Sequence, residues 1–231
     1  MTGTIINVLL VLLGSTIGLI IHKRFPERIR IIVFQAIGLF TVVLGIYLSL
    51  KSQAFLVIIF SLISGALIGE GFYLQERIEK GADNLKNWLK VKNENFTEGL
   101  ITAFMLFCIG SFTILGAIEE GLTGDFTLLL TKSVMDGFSS IALASAFGFG
   151  VIFSVIPLFI YQGSLTIFAS YIAPYLDPVL QNEISAVGGI LIIGLGITIL
   201  EIKKIRILNL TPALITLVPI HYLEAYIRSF F

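Results

Sequence analysis

Apolar residues in this chain come in long blocks parted by short polar segments. Seven stretches of 17 or more residues carry no charge, and the longest, 137–176, runs for 40. Water does not solvate that much apolar surface, and a single compact core could not bury it. A helix rising 1.5 Å per residue needs about 20 residues to cross a hydrocarbon layer of roughly 30 Å. The blocks therefore predict eight helical spans, at 2–21, 31–50, 54–69, 99–118, 126–147, 150–171, 184–200 and 207–227. Gly148 and Gly150 divide the longest block by turn chemistry, and Pro212 and Pro219 stand where they can break the last span. The expected fold class is all-α: one polytopic membrane domain over 1–231, with the lipid bilayer as its solvent.

Polar segments between the blocks give an orientation, because Lys and Arg near span ends are retained on the cytoplasmic side. With the N-terminus outside, the inner loops hold Lys23, Arg24, Arg28 and Arg30, then Arg77, Lys80, Lys86, Lys90 and Lys92, then Lys203, Lys204 and Arg206. These are twelve of the fifteen basic residues. The outer loops keep Lys51 and Arg228 and carry Glu119, Glu120, Asp125, Asp177 and Glu183. Eight spans then put both termini outside. Residues 1–21 lack a basic leader and a small-residue cleavage site, so they read as an uncleaved span.

Composition agrees: 56% of residues are hydrophobic, 13% are charged and mean hydropathy is +0.98, whereas soluble domains carry about 25% charged residues. Zero net charge offers no basic footprint for nucleic acid. A single cysteine, Cys108, builds neither a disulfide framework nor a cysteine metal cluster.

The one substantial polar segment, 71–98, is read as a cytoplasmic amphipathic helix. Leu74, Ile78, Leu85 and Leu89, with Trp88 beside them, share a helical face, and Glu76 and Lys80 form a favourable i, i+4 pair. Either it lies along the inner leaflet with Trp88 and the lysines at headgroup depth, or it extends to pack on another subunit.

An internal echo links the two ends of the chain. Gly38 and Gly45 in span two align with Gly189 and Gly196 in span seven, and Gly14-Ser15 in span one with Gly163-Ser164 in span six. Pro26 follows the first Gly-Ser span, and Pro174 and Pro178 follow the second. An offset of five spans makes the copies enter the membrane from opposite sides, which predicts an inverted-topology repeat of spans 1–3 and 6–8, a transporter hallmark. The four aligned glycines are assigned to close helix packing. Small-residue stripes at Gly14xxxGly18, Ser61xxxGly65xxxGly69 and Ser140xxxAla144xxxGly148 suit a tight bundle, with a homodimer as one use of them.

Lys132 and Asp136 stand one turn apart in span five, and Asp136 lies about 16 Å from the end of the span, near the midplane. An ionised side chain there costs at least roughly 2.5–3.5 kcal/mol on insertion scales, so each should face protein or water and have a partner. Two readings stay open: a silent internal salt bridge, or the lining of a solute or ion pathway. Ser133, Gln162 and Gly163 join the candidate pathway, since Pro157 and Gly163 can break span six and free backbone groups. Asn7 and Gln35 are read as helix-to-helix hydrogen bonds, Thr131, Ser139 and Ser140 as bonds to backbone, and Glu70 and Glu119 as solvated span ends. His22 and His221 fall on opposite sides, which argues against a shared metal site. No phosphate loop, HExxH, GxSxG or EF-hand pattern occurs, and no cofactor is expected.

Residues 97–110 (TEGLITAFMLFCIG), 114–118 (ILGAI), 121–125 (GLTGD) and 128–137 (LLLTKSVMDG), with Gln162-Gly163 and Ala186 to Gly189, resemble the YdfK/YqgA-like bacterial inner-membrane proteins, a domain-of-unknown-function family (554). The resemblance runs over nearly the whole chain. It implies the bacterial inner membrane and the fold, with no substrate, reaction or catalytic residue. Where that family has a Gly-Pro pair, this chain has Gly110-Ser111.

Function is read first as a secondary transporter or permease for a small solute or ion, with a midplane polar site at Lys132 and Asp136. The alternative is a non-transporting scaffold whose inner helix docks a cytoplasmic partner. An enzyme is not expected, since no nucleophile and base are paired.

Overall fold

The computed structural model describes residues 1–22, 26–91, 95–108 and 111–228. Lys23, Arg24 and Lys92, assigned above to inner loops, and Gly110, at the altered Gly-Pro position, lie outside the described residues. Thirteen α-helices follow in order: α1 Thr2–His22, α2 Glu27–Ser49, α3 Phe55–Gly71, α4 Leu74–Trp88, α5 Phe96–Cys108, α6 Ser111–Thr123, α7 Thr127–Phe147, α8 Gly150–Phe153, α9 Val155–Ile167, α10 Ala169–Ile172, α11 Pro178–Ile199, α12 Ile207–Leu210 and α13 Ala213–Arg228. The fold is all-helical, a polytopic membrane protein.

Among the described residues, five stretches are long and apolar enough to cross a bilayer, or up to seven if each of two bent pairs is one crossing. The bent pairs are α3 with α4, at 56°, and α5 with α6, at 60°. α7 is as long, with 21 residues, but Lys132, Asp136 and its threonines and serines keep it out of that group. The eight single-helix spans expected above thus need correction at their interiors. Residues 99–118 form two helices instead of one, despite the missing proline. Pro157 has no N–H and its ring crowds the carbonyl of residue 153, and α8 ends there, at Phe153. Thr211 and Pro212 separate α12 from α13, whereas Pro219 is absorbed inside α13. Gly148 caps α7 at φ +80°, a conformation that favours glycine. Span seven begins six residues earlier than expected, at Pro178, with Asp177 as its N-cap: the Asp177 side chain accepts from the Val179 and Leu180 N–H groups.

Two compact units build the chain: Met1–Ile37 with Ala82–Tyr175, and Gly38–Gly81 with Leu176–Phe231. In the first, α1 and α7 run parallel along their length: Gly3 meets Phe126 and Leu129, Gly14 meets Gly137 and Ser140, and Gly18 meets Ile141 and Ala144. A Cβ on Gly14 would stand 2.1 Å from the Gly137 carbonyl oxygen, so only glycine permits this approach. The stripes of span one and span five therefore face each other inside the chain. Residues 82–89 of α4 fold back on α5, with Leu85, Leu89 and Val91 packed on Ala82, Phe96 and Leu100. Part of the amphipathic face is covered by the chain itself, while Ile78 and Trp88 remain exposed.

In the second unit, helices pair antiparallel. Gly65 meets Ala213 and Gly69 meets Asn209, and Thr216 Oγ1 donates to the Ser61 carbonyl, 3.1 Å, which uses the third small-residue stripe. Between α2 and α11, Gly45 abuts Gly189 and Gly196 abuts Gly38; an added Cβ would lie 2.6 Å and 2.9 Å from the facing carbonyl oxygens. All three stripes thus make helix contacts within the chain.

Candidate functional site

α7 carries Lys132, Ser133 and Asp136 on its buried side. Lys132 and Asp136 are 8% and 6% exposed and form an ion pair through Lys132 Nζ and Asp136 Oδ2. The same carboxylate oxygen accepts from Asn7 Nδ2 of α1, 3.1 Å, and Asn7 Nδ2 also donates to Gln162 Oε1 of α9, 3.0 Å. Lys132 Nζ donates further to the main-chain carbonyl of Phe107, which also accepts from Thr113 Oγ1, 2.9 Å.

That carbonyl lies in the last turn of α5 as described, Phe96–Cys108. The last four carbonyls of a helix have no partner within it, and their summed dipoles make this end negative. The Phe107 carbonyl thus accepts from the buried lysine ammonium. A second acceptor, the Asp136 carboxylate, balances its charge, so two buried ions persist without a net charge.

The cluster is not fully paired. Asn7 Oδ1, Gln162 Nε2, Thr4 Oγ1 and Ser15 Oγ are buried without a hydrogen-bond partner. Each such group costs about 1–3 kcal/mol, and buried polar atoms left over in a native structure call for an explanation. Thr4 and Asn7 lie one turn apart on α1, so an acceptor, a donor and a hydroxyl are offered beside the ion pair.

Other candidate residues fall as follows. Ser133 Oγ donates to the Leu129 carbonyl of its own helix, 2.6 Å, and turns to no other member of the cluster. Thr131 and Ser140 likewise bond their own helix. Gly163 faces the Met1 side chain, 3.1 Å from where a Cβ would stand. Gln35 is exposed. Gly38, Gly45, Gly189 and Gly196 belong to the α2 and α11 contact. Tyr161 and Ser164 of α9 help line an apolar groove of about 500 Å³ with Phe104, Pro157 and Ile160, and none of Asn7, Lys132, Asp136 or Gln162 lines it.

A second cluster was not expected. Glu183 and Asp177, read as outer-loop charges, instead meet His221. Glu183 is 1% exposed inside α11, its Oε2 2.9 Å from His221 Nδ1, while Asp177 Oδ2 is 3.1 Å from His221 Nε2. Asp177 is held below the usual carboxylate range, first by the Leu180 N–H and then by His221 and the Val179 N–H. Glu120 is also no loop charge: it lies buried in α6, where Oε1 accepts from the Gly3 N–H, 2.8 Å, and pairs with the terminal amine, 2.9 Å. Glu70 is paired rather than simply solvated, with Arg206 Nη1 and Asn209 Nδ2 each at 2.6 Å. Among the described residues, no three His, Cys, Asp or Glu side chains converge to hold a metal ion.

Residues 2–222 match the model of a family described as a protein of unknown function, DUF554. The uncharacterized membrane protein YdfK of Bacillus subtilis strain 168 is 43% identical over 219 residues, 93% of each chain. The uncharacterized protein YqgA of Escherichia coli K12 is 34% identical over 223 residues, 94% of this chain and 95% of its own. No solved structure matches. The chain belongs to the DUF554 family and is a membrane protein.

Proposed function

We propose that this protein is a permease for a small polar solute, uncharged or zwitterionic, bound at the cluster of Asn7, Lys132, Asp136 and Gln162. One observation carries the reading: beside a charge-balanced ion pair, a buried amide oxygen and a buried amide nitrogen have no partner in the chain. A solute with one donor and one acceptor satisfies both, and a net-neutral site favours a net-neutral guest. Lys132 on the broken end of α5 matches the use of interrupted helices at transporter midplanes.

Packing within each unit supports the repeat. Gly45 with Gly189 and Gly38 with Gly196 are reciprocal contacts: exchanging each residue for its aligned counterpart turns one pair into the other, as a two-fold axis in the membrane plane requires. Spans one and six contribute to the first unit and spans two, three, seven and eight to the second, so matched elements share a unit. Parallel α1 and α7, with antiparallel α2 and α11 and antiparallel α3 and α13, agree with eight crossings in which α5 and α6 make one bent crossing. The basic residues argue for the inner membrane with both termini outside.

The test is flux into proteoliposomes for a panel of neutral, zwitterionic, cationic and anionic small solutes. A neutral or zwitterionic class should enter faster than into empty vesicles, and Lys132→Met or Asp136→Asn should slow it at least about tenfold, the loss of one hydrogen bond to a charge. Equal rates in wild type and variants would remove the site. The tight mutual pairing of Lys132 and Asp136 also suits a second reading, a membrane scaffold with a silent salt bridge, for which wild-type vesicles are no faster than empty ones.

A further inference from the structure

His221 is placed between two carboxylates, one on each ring nitrogen. A neutral imidazole has a single N–H, so both contacts are hydrogen bonds only when the trio holds two protons: an imidazolium between two carboxylates, or a neutral ring with one carboxylic acid. Exposure is graded along the three. The Asp177 side chain is 42% exposed, that of His221 10% and that of Glu183 2%. Water thus reaches one end, and the other lies inside an apolar helix where a bare carboxylate is costly.

We propose that Asp177, His221 and Glu183 form a proton relay that reversibly loads a proton onto Glu183 within the membrane-embedded part of α11. A proton taken from water forms Asp177 Oδ2–H. That bond breaks as His221 Nε2–H forms, and His221 Nδ1–H breaks as Glu183 Oε2–H forms. Asp177 ends ionised, His221 neutral with its proton on Nε2, and Glu183 a neutral acid; the reverse sequence releases the proton. The opposed directions of the two carboxylates exclude a shared metal ion, whose ligands must converge on one point, and suit transfer through the ring.

Other charges near the path are few. Glu224 lies about one turn beyond His221 on α13. Tyr222 meets the His221 ring edge-on, with centroids 5.2 Å apart. α3, the other helix packed on α13, has Glu70 as its only charged residue, held by Arg206 at the opposite end. In the loop before α3, Lys51 lies over the Tyr47 ring.

The proposal needs no transported solute, so it stands or falls apart from the permease reading. The full chain in lipid vesicles is taken through a rapid pH drop and followed by infrared difference spectroscopy. A carboxylic-acid C=O band should grow in wild type and be absent in Glu183→Gln. It should appear at least about a hundredfold more slowly in His221→Gln, the lower range for loss of a positioned acid-base group. Asp177→Asn keeps the α11 cap and the histidine, and should show the same slowing should the His221 variant fail to fold. In His22→Gln, which leaves His221 as the only histidine, ¹⁵N signals of both ring nitrogens should change over the same pH range. A band retained in Glu183→Gln, or wild-type rates in Asp177→Asn, would overturn the relay.

Discussion

Lys132 and Asp136 meet within one helix, whereas Asp177, Glu183 and His221 meet only because α13 packs against α11. The first cluster sets one basic and one acidic side chain together with a carbonyl of α5, so its formal charges cancel. The second sets two carboxylates on one imidazole, and its hydrogen bonds exist only if a proton is shared. Burial thus pairs one cation with one anion in one unit and sets two carboxylates about one imidazole in the other. The difference lies in how many acceptors each cationic donor must serve.

The largest effect expected is the loss of that balance in α7. Lys132→Met leaves the Asp136 carboxylate buried against Asn7 alone and should cost about 3–5 kcal/mol. Lys132→Met with Asp136→Leu removes both ions and should return most of that stability. Unfolding in detergent measures both; a single variant as stable as the double would mean that water or lipid headgroups, not the partner, hold the charge. The double variant should also lose flux, which separates a working site from a silent bridge.

Next in size is the helix contact that frames the second cluster's unit. Gly45→Ala and Gly189→Ala each drive a methyl to about backbone distance, 2.6 Å and 2.5 Å, and should cost about 1–3 kcal/mol by overpacking. At Gly38 the nearest atom is Leu200 Cγ, part of a side chain that can turn away, so Gly38→Ala should fall below that range. Equal costs at all three positions would mean that the Leu200 side chain cannot turn away.

Much of this was legible beforehand, for physical reasons. Apolar blocks fixed the helices because lipid tolerates little else, and the i, i+4 spacing of Lys132 and Asp136 put both on one face. The Phe107 carbonyl was not legible, since a main-chain acceptor has no residue type of its own. Asn7 was read as a generic interhelical bond; its signal was an amide in an apolar span, the same signal that singled out Gln162. Glu183 was missed because a charge that interrupts an apolar block reads as a loop, although here the chain buries it against a histidine 38 residues on. His221 itself was a titratable group inside a span, and that alone marks a candidate site.

Asp177 sharpens the comparison through pH. Asp177→Ala removes the α11 cap and should cost about 1 kcal/mol, while Asp177→Asn keeps a capping oxygen and should cost less. Because folding lowers the Asp177 pKa, its contribution is complete above the unfolded value of about 3.9. It is lost as pH falls through the lower folded value. The deficit of Asp177→Ala against wild type should therefore shrink only in acid, below about pH 4, in thermal unfolding curves taken across that range. A deficit constant in acid would assign the loss to packing.

The smallest effect belongs to an ion pair outside both clusters. Arg206 and Glu70 approach to 2.6 Å, but their side chains are 58% and 55% exposed. Water screens such a pair, and exposed bridges contribute about 0–1 kcal/mol. Glu70 has a second role that charge alone does not describe, since Asn209 Nδ2 donates to its other oxygen while Asn209 Oδ1 accepts from the Gln75 N–H at the start of α4, 2.6 Å. Arg206→Ala should thus weaken the fold slightly, with the deficit vanishing at 1 M salt, where the Debye length is about 3 Å. Glu70→Ala should keep part of its deficit in salt, because it also leaves the buried Asn209 amide without its acceptor. If both deficits vanished together, Glu70 would act through charge alone, and exposure would outweigh hydrogen-bond geometry at this end of the unit as burial does at the other.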